Sequence, residues 1–137
     1  MLNKNVLMIG DIVWCKLRGD ERSHIQNGVR PCVIIQNNKG NHFSPTIQVV
    51  PLTSRKNKSK LPTHVQIPAH TAGLSKDSIA QCEGARPVSK SDILGFIGTM
   101  PESYMHDIGV ALMINIPIIQ YMSLESLTTV YNNLAVN

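Results

Sequence analysis

The chain has 137 residues and a formal net charge of +4, and this length predicts one domain whose core needs no disulfide or metal. Its 42% hydrophobic and 16% charged residues form a globular composition and exclude a disordered chain. Three widely spaced cysteines exclude a disulfide framework, and no apolar run approaches the roughly 20 residues that a bilayer requires, so we expect a cytoplasmic protein without membrane contact.

The first half of the chain is predicted to form β-strands. Short apolar or alternating runs, separated by Gly, Asn and Pro, are typical of strands. The predicted strands cover residues 11–17, 31–36, 46–52, 64–67 and 79–83. No helical run between them is long enough for a parallel crossover, so we predict a small barrel or sandwich.

Polar connections join these strands. Residues 18–28 carry charges of both signs, residues 37–45 are dense in turn-forming Asn, Gly, Ser and Pro, and residues 55–62 are basic and polar. All three segments are predicted to be loops, and residues 55–62 are predicted to be an exposed, hairpin-like loop.

The second half of the chain changes to helical spacing. Pro101 and Glu102 suit a helix start, and a further helix is predicted after Ser123. Pro117 should separate the two.

Positive charge is concentrated in residues 1–90, which hold all 13 Lys and Arg residues and carry a net charge of +8. Residues 91–137 contain four acidic residues and neither Lys nor Arg. A chain with this bias attracts polyanions such as RNA, although a solvated basic surface is the alternative. Motifs for nucleotide cofactors, zinc proteases and two-metal nucleases are absent, so we expect no cofactor and no metal.

Several segments resemble MazF/PemK-type toxins, in the same order. Residues 10–14 (GDIVW) open the first strand, residues 28–37 match the family's GxRPxLVIQN segment, and residues 40–46 match the loop that follows. Residues 49–54 (VVPLTS) resemble the strand that ends in the family's active-site threonine. Residues 61–65 and 77–86 are also similar, so the resemblance covers about residues 8–114.

The resemblance implies a fold, an activity and partners. The fold is α+β and mainly β: a small SH3-like or CcdB-like barrel with C-terminal helices, one domain over residues 1–137, usually a homodimer. Residues 115–137 form a helical extension that could cover the core, extend the dimer contact or dock the antitoxin. The activity is sequence-specific, metal-independent cleavage of single-stranded RNA, leaving 2′,3′-cyclic phosphate and 5′-hydroxyl ends. A small, acidic cognate antitoxin is expected to block the site.

Arg30 and Thr53 lie at the positions of the family's catalytic residues. A guanidinium offers forked, permanently charged donors to phosphate oxygens, so Arg30 is expected to stabilise the charge of the transition state. The hydroxyl of Thr53 could donate to that phosphate or orient the attacking 2′-OH. Alternatively, Arg30 could pair with an acid at the barrel rim and Thr53 could satisfy backbone groups. His64 could act as an acid or base, or as a structural residue of its strand.

Further residues are expected to bind RNA, through contacts with phosphates or by stacking on a base. The alternative for the loop residues is that they are only solvated, and the alternative for Phe43 is that it packs against the barrel. These candidates are Ser54, Gly28, Arg55, Lys56, Lys58, His24, Phe43 and Arg86.

One departure from the family concerns base preference. Gly84 stands where many relatives have the glutamine of a Glu-Gln pair; if the side chain of that glutamine contacts RNA, Gly84 removes the contact and the base preference differs. Two other functions are compatible with the same fold: a toxin that poisons DNA gyrase through protein contact, and a module that binds RNA without cutting it.

Overall fold

The structure is a computed structural model that describes residues 4–19, 27–54 and 60–134. Within these ranges the order of elements is β1 (Asp11–Leu17), β2 (Gly28–Ile34), α1 (Asn38–Phe43), β3 (Thr46–Thr53), β4 (His64–Ile67), β5 (Ser78–Gln81), β6 (Arg86–Ser89), β7 (Ile93–Thr99), α2 (Glu102–Asn115) and α3 (Leu124–Leu134). Short 3-10 turns cover Cys82–Gly84, Lys90–Asp92 and Ile118–Tyr121.

The strands form one antiparallel sheet. Its order is β4-β5-β3-β2-β1-β7, and β6 pairs with the first half of β3. The predicted α+β class is therefore confirmed. In the described residues β4 and β7 do not pair with each other, so the term barrel fits this open, seven-stranded sheet only loosely.

The predicted strands agree with the structure in position more than in length. The bounds of β1 and β4 are as predicted, whereas β2 starts at Gly28 and ends at Ile34. The sequence prediction missed β6 and β7. β6 is only four residues long and contains Pro87, and β7 contains Gly95 and Gly98, residues that weaken a strand signal.

Residues 38–43 form a short helix, so the prediction of a continuous loop over residues 37–45 was wrong. Asn37 caps this helix, because its side-chain oxygen accepts a hydrogen bond from the backbone N–H of Gly40 at 2.8 Å. Such a cap satisfies a donor that the first helical turn leaves unpaired. Of the other two predicted loops, residues 20–26 and 55–59 lie outside the described residues.

Two apolar clusters lie on opposite faces of the sheet, as the alternation of side chains along a strand requires. The first contains Ile12, Val33 and Val50 and is covered by Ile108 and Ala111 of α2. The second cluster lies on the opposite face and consists of side chains from β1, β2, β3 and β6. These are Val13, Cys15, Leu17, Cys32, Ile34, Ile47, Val49 and Val88. The sheet is thus buried on both sides at its centre.

The C-terminal segment is helical, as predicted, and Pro117 separates α2 from α3. The hydroxyl of Ser123 accepts a hydrogen bond from the N–H of Ser126 at 3.1 Å and starts α3. No residue of α3 is buried, and neither cluster includes a residue beyond Leu112. In the described residues this extension therefore does not cover the core. None of the described helices is long and apolar enough to cross a bilayer.

Candidate active site

A cavity of about 360 Å³ opens beside the facing ends of β2 and β3. Arg30, Thr53 and Ser54 line it together, so the structure brings both predicted catalytic residues and one predicted binding residue to the same cavity. Apolar side chains, among them Trp14 and Leu52, form another part of its wall. A cavity with an apolar floor and a few polar groups is typical of a binding site.

Strand register places Arg30 and Thr53 on the same face of the sheet. β2 and β3 pair from Ile34–Val49 to Cys32–Pro51, and Arg30 and Thr53 each lie two residues beyond the last pair. Here the strands part: Arg30 continues to pair with β1, and Thr53 pairs with β5. Pro31 has no N–H to donate to a neighbour, which suits a place where two strands separate.

Arg30 is half-buried and is held by the turn that precedes β2. Its Nε donates a hydrogen bond to the carbonyl oxygen of Asn27 at 3.1 Å. Gly28, between them, has a φ of +85°, a conformation that a side chain disfavours. Among the residues described, no carboxylate forms an ion pair with Arg30, so the alternative of a rim ion pair is not observed there.

Thr53 is the last residue of β3 and only 3% exposed. It forms an interaction within the chain, so a structural contact accompanies its place on the cavity wall. Ser54, the next residue, is exposed. The two hydroxyl-bearing residues of the cavity therefore differ in exposure, since Thr53 is buried and Ser54 is exposed.

A second guanidinium lies close to Arg30. Arg86 begins β6, and its Nε donates to the carbonyl oxygen of Gly84 at 3.2 Å. Burial is the main cause that lowers the pKa of Arg86; the nearby Cys32 opposes this effect, and the positive charge of Arg30 adds to it. A guanidinium nevertheless stays charged at neutral pH. Arg86 does not line the cavity itself. It therefore adds to the positive electrostatic potential near Arg30 without forming part of the cavity wall.

The buried thiol of Cys32 is near both cations but does not neutralise them. Cys32 follows Arg30 by two residues on the same face of β2 and is fully buried. A hydrogen bond with Cys15 and burial raise the pKa of the Cys32 thiol far above its ordinary value. The thiol is therefore neutral at neutral pH, and the local positive charge is preserved.

Of the other predicted binding residues, those that the structure describes do not line the cavity. Gly28 does not line it. Phe43 lies on α1 with 74% of its surface exposed, its ring edge-on to that of His42 at 4.5 Å, so packing against the sheet is not observed either. Arg55, Lys56, Lys58 and His24 lie outside the described residues.

The segment between β4 and β5 supplies cavity residues that sequence reasoning missed. Ser75 and Lys76 of this segment, and Ser78 at the start of β5, line the cavity together with Arg30 and Thr53. Their approach depends on tertiary structure, and a single lysine between a serine and an aspartate gives no local signal. Ser54 and Ser78 also line an adjacent cavity of about 420 Å³ with Gln66 and Asp77, so these two serines lie between neighbouring cavities.

His64 and Glu83 form a separate polar contact that joins β4 to the turn after β5. Nε2 of His64 lies 2.7 Å from Oε1 of Glu83, and the hydroxyl of Thr63 donates to Oε2 at 2.7 Å. Burial alone would raise the pKa of Glu83, but the hydrogen bonds from Thr63 and His64 hold that pKa below its usual range. His64 does not line the cavity, so this geometry fits the structural alternative.

An arginine and a hydroxyl on one cavity, with a second guanidinium nearby, define an anion site suited to phosphodiester chemistry on a small antiparallel sheet. The comparisons with known proteins identify the family. The chain belongs to the PemK-like, MazF-like toxins of type II toxin-antitoxin systems, whose profile matches residues 9–116. Every residue that lines the cavity falls inside this match, whereas α3 lies beyond it.

Individual relatives agree with this assignment. The chain is 38% identical over 112 residues to Endoribonuclease EndoA of Bacillus subtilis (strain 168), covering 82% of this chain and 96% of that protein. It is also similar to the crystal structure of MazF from Deinococcus radiodurans, with a TM-score of 0.70, 22% identity and coverage of 83% of this chain and 99% of that one. A mycobacterial endoribonuclease in complex with its cognate antitoxin gives a TM-score of 0.67 at 20% identity, covering 82% of this chain and 96% of that one. These two structures show the shared fold.

Proposed function

We propose that this chain is the endoribonuclease toxin of a type II toxin–antitoxin pair and that Arg30 and Thr53 act together on one RNA phosphodiester. The single observation that carries the proposal is their shared cavity. Membership of the MazF-like toxin family and 38% identity to an endoribonuclease support the same activity.

The proposed reaction is an internal transesterification. The 2′-oxygen forms a bond to the adjacent phosphorus while the bond from phosphorus to the 5′-oxygen breaks, giving a 2′,3′-cyclic phosphate and a 5′-hydroxyl. One proton leaves the 2′-OH, and one reaches the 5′-oxygen. Because the nucleophile belongs to the substrate, the protein's main task is to hold the phosphate and stabilise the negative charge that develops on its oxygens.

Arg30 has the charge and the geometry for that task. Its Nε is engaged with Asn27, which leaves the terminal nitrogens of the guanidinium to donate to two phosphate oxygens. The hydroxyl of Thr53 donates to a third oxygen or orients the 2′-OH, and its burial holds it in place. Arg86 adds positive potential, and Ser54 contacts the phosphate from the mouth of the cavity.

The partners and the compartment follow from charge and family. A net charge of +8 in residues 1–90 attracts single-stranded RNA and equally suits an acidic antitoxin that covers the same surface. Structures of relatives are described with a cognate antitoxin, including MazE-MazF of Deinococcus radiodurans. We propose the same arrangement here, with a homodimeric toxin in the cytoplasm, where its RNA substrate is found.

The test is to incubate the purified protein with single-stranded RNA in EDTA and to identify the ends of the fragments. The proposal predicts cyclic phosphate and 5′-hydroxyl ends, and loss of cleavage in Arg30→Ala. Intact RNA together with inhibited DNA supercoiling would identify a gyrase poison instead. RNA that is bound but uncut would identify a binding module, and either result overturns the proposal.

A further inference from the structure

One wall of the cavity is formed by the segment between β4 and β5, which is pressed onto β7. Gly73 has a φ of +86°, and a Cβ added to it would lie 2.9 Å from the carbonyl oxygen of Ile97. A Cβ on Gly98 would collide with the carbonyl oxygen of Ala72. Leu74 is only 4% exposed and belongs to the first core cluster. This segment therefore has a fixed position relative to β7.

Hydrogen bonds fix the backbone of the same segment up to the start of β5. The N–H of His70 donates to the carbonyl oxygen of Leu74 at 2.7 Å. The N–H of Ala69 donates to Oδ1 of Asp77 at 2.7 Å, and the hydroxyl of Ser78 donates to the carbonyl oxygen of Lys76 at 3.0 Å. Lys76 thus extends from a well-held backbone although its side chain is exposed.

The charge of Lys76 is available to a ligand in the cavity. Asp77, its neighbour in sequence, uses Oδ1 to accept from Ala69 and lines the adjacent cavity rather than the one that holds Arg30. In the described ranges no carboxylate forms an ion pair with Lys76. The cavity therefore carries two cations, Arg30 and Lys76, on different segments of the chain.

We propose that Lys76 binds an RNA phosphate adjacent to the one held by Arg30 and Thr53. The proposal rests on the function proposed above and names a second phosphate subsite of the same cavity. An RNA strand carries one charge at every internucleotide linkage, so two cations on one cavity match successive phosphates. An ammonium is a flexible point charge without the fork of a guanidinium, so Lys76 supplies affinity rather than transition-state geometry.

The experiment measures binding and cleavage separately. A single-stranded RNA oligonucleotide is chosen that contains one mapped cleavage site, and a copy with a 2′-deoxy nucleotide at that site serves as the uncleavable probe. For Lys76→Gln, the slope of log Kd against log salt should become shallower by about 0.7, the value for one phosphate contact on a single strand. KM should rise about fivefold near 0.1 M salt, as the loss of one such contact implies, while kcat stays unchanged and Lys76→Arg restores KM.

Lys39→Gln is the matched control, because Lys39 is an exposed lysine of α1 that does not line the cavity. An unchanged slope in Lys76→Gln would overturn the subsite. An equal change in Lys39→Gln would also overturn it, since the effect would then come from overall charge. A fall in kcat at unchanged KM would place Lys76 at the reacting phosphate and contradict the proposed role. If wild-type protein neither binds nor cuts the RNA, the proposed function fails instead.

Discussion

Arg30 and Thr53 lie beyond the last paired residues of two neighbouring strands, on the same face of the sheet, and line one cavity. If the register of Cys32 with Pro51 continued, the two residues would face each other directly. The pairing of the two strands ends before these residues, and both strand ends contribute residues to the cavity. A site built in this way takes its geometry from the sheet, since each residue belongs to a strand that pairs on its other side.

Replacing Arg30 by lysine tests whether the fork of the guanidinium matters beyond its charge. We expect Arg30→Lys to bind RNA with nearly normal affinity but to cleave about 10²–10³-fold more slowly, the usual loss when one transition-state donor is removed. Single-turnover cleavage and binding of the 2′-deoxy oligonucleotide would measure the two effects.

Arg18→Lys is the control for that substitution. Arg18 is exposed, pairs with Asp92 at 3.3 Å and does not line the cavity. The Arg18→Lys variant should therefore cleave RNA at the wild-type rate. A normal rate in Arg30→Lys would mean that charge alone is sufficient, and the proposed bidentate contact would be wrong.

Substitution of glycine by alanine is expected to have opposite effects on stability at two positions. Gly28→Ala should lower the free energy of unfolding by about 1–2 kcal/mol, because Gly28 has a φ of +85° and the left-handed region is strained for alanine. Gly109→Ala should raise it by about 0.5–1 kcal/mol, because Gly109 lies inside α2 with open space around the added Cβ. Urea unfolding of both variants measures the difference, and an equal effect of the two would contradict the conformational argument.

The lowered pKa of Glu83 predicts a pH dependence of stability. A carboxyl whose pKa is lower in the folded state stabilises the fold above its ordinary range, and this contribution is lost as pH falls through the lowered value. The difference in unfolding free energy between wild type and Glu83→Gln should therefore stay constant near neutral pH and shrink as the pH falls from about 5 toward about 2. Thr63→Val, which removes the hydrogen bond at 2.7 Å, should weaken the dependence. A difference that stays constant with pH would show that Glu83 contributes through packing alone.

The sequence predicts most of this fold because its strands have clear local patterns. β1 and β4 were predicted to the residue, since each alternates or carries an apolar run between turn formers. β7 was missed because its glycine Gly98 is explained by tertiary structure: it leaves room for the backbone of Ala72. No local sequence pattern predicts that contact. The helix α1 was missed because it has only six residues, is capped by Asn37 and lies within a run of turn-forming residues.

The site was predictable only in part, for a related reason. Arg30 and Thr53 sit in segments that resemble a family as continuous stretches, and the sheet brings these segments side by side. Lys76 comes from a separate segment, and its place on the cavity depends on the packing of Gly73 against Ile97. Phe43, although it lies within the family-like stretch of residues 40–46, is exposed on α1.

The most direct test of the central claim is a double-mutant cycle on the cleavage rate with Arg30→Ala, Thr53→Val and the combined variant. Residues that stabilise the same phosphate act as a unit, so their single losses should not multiply. We predict that each single variant loses about 10²–10³-fold in single-turnover rate and that the double variant is close to the slower single variant. Losses that multiply fully, or a Thr53→Val variant that cleaves at the wild-type rate, would contradict the claim that the two residues act on one phosphodiester.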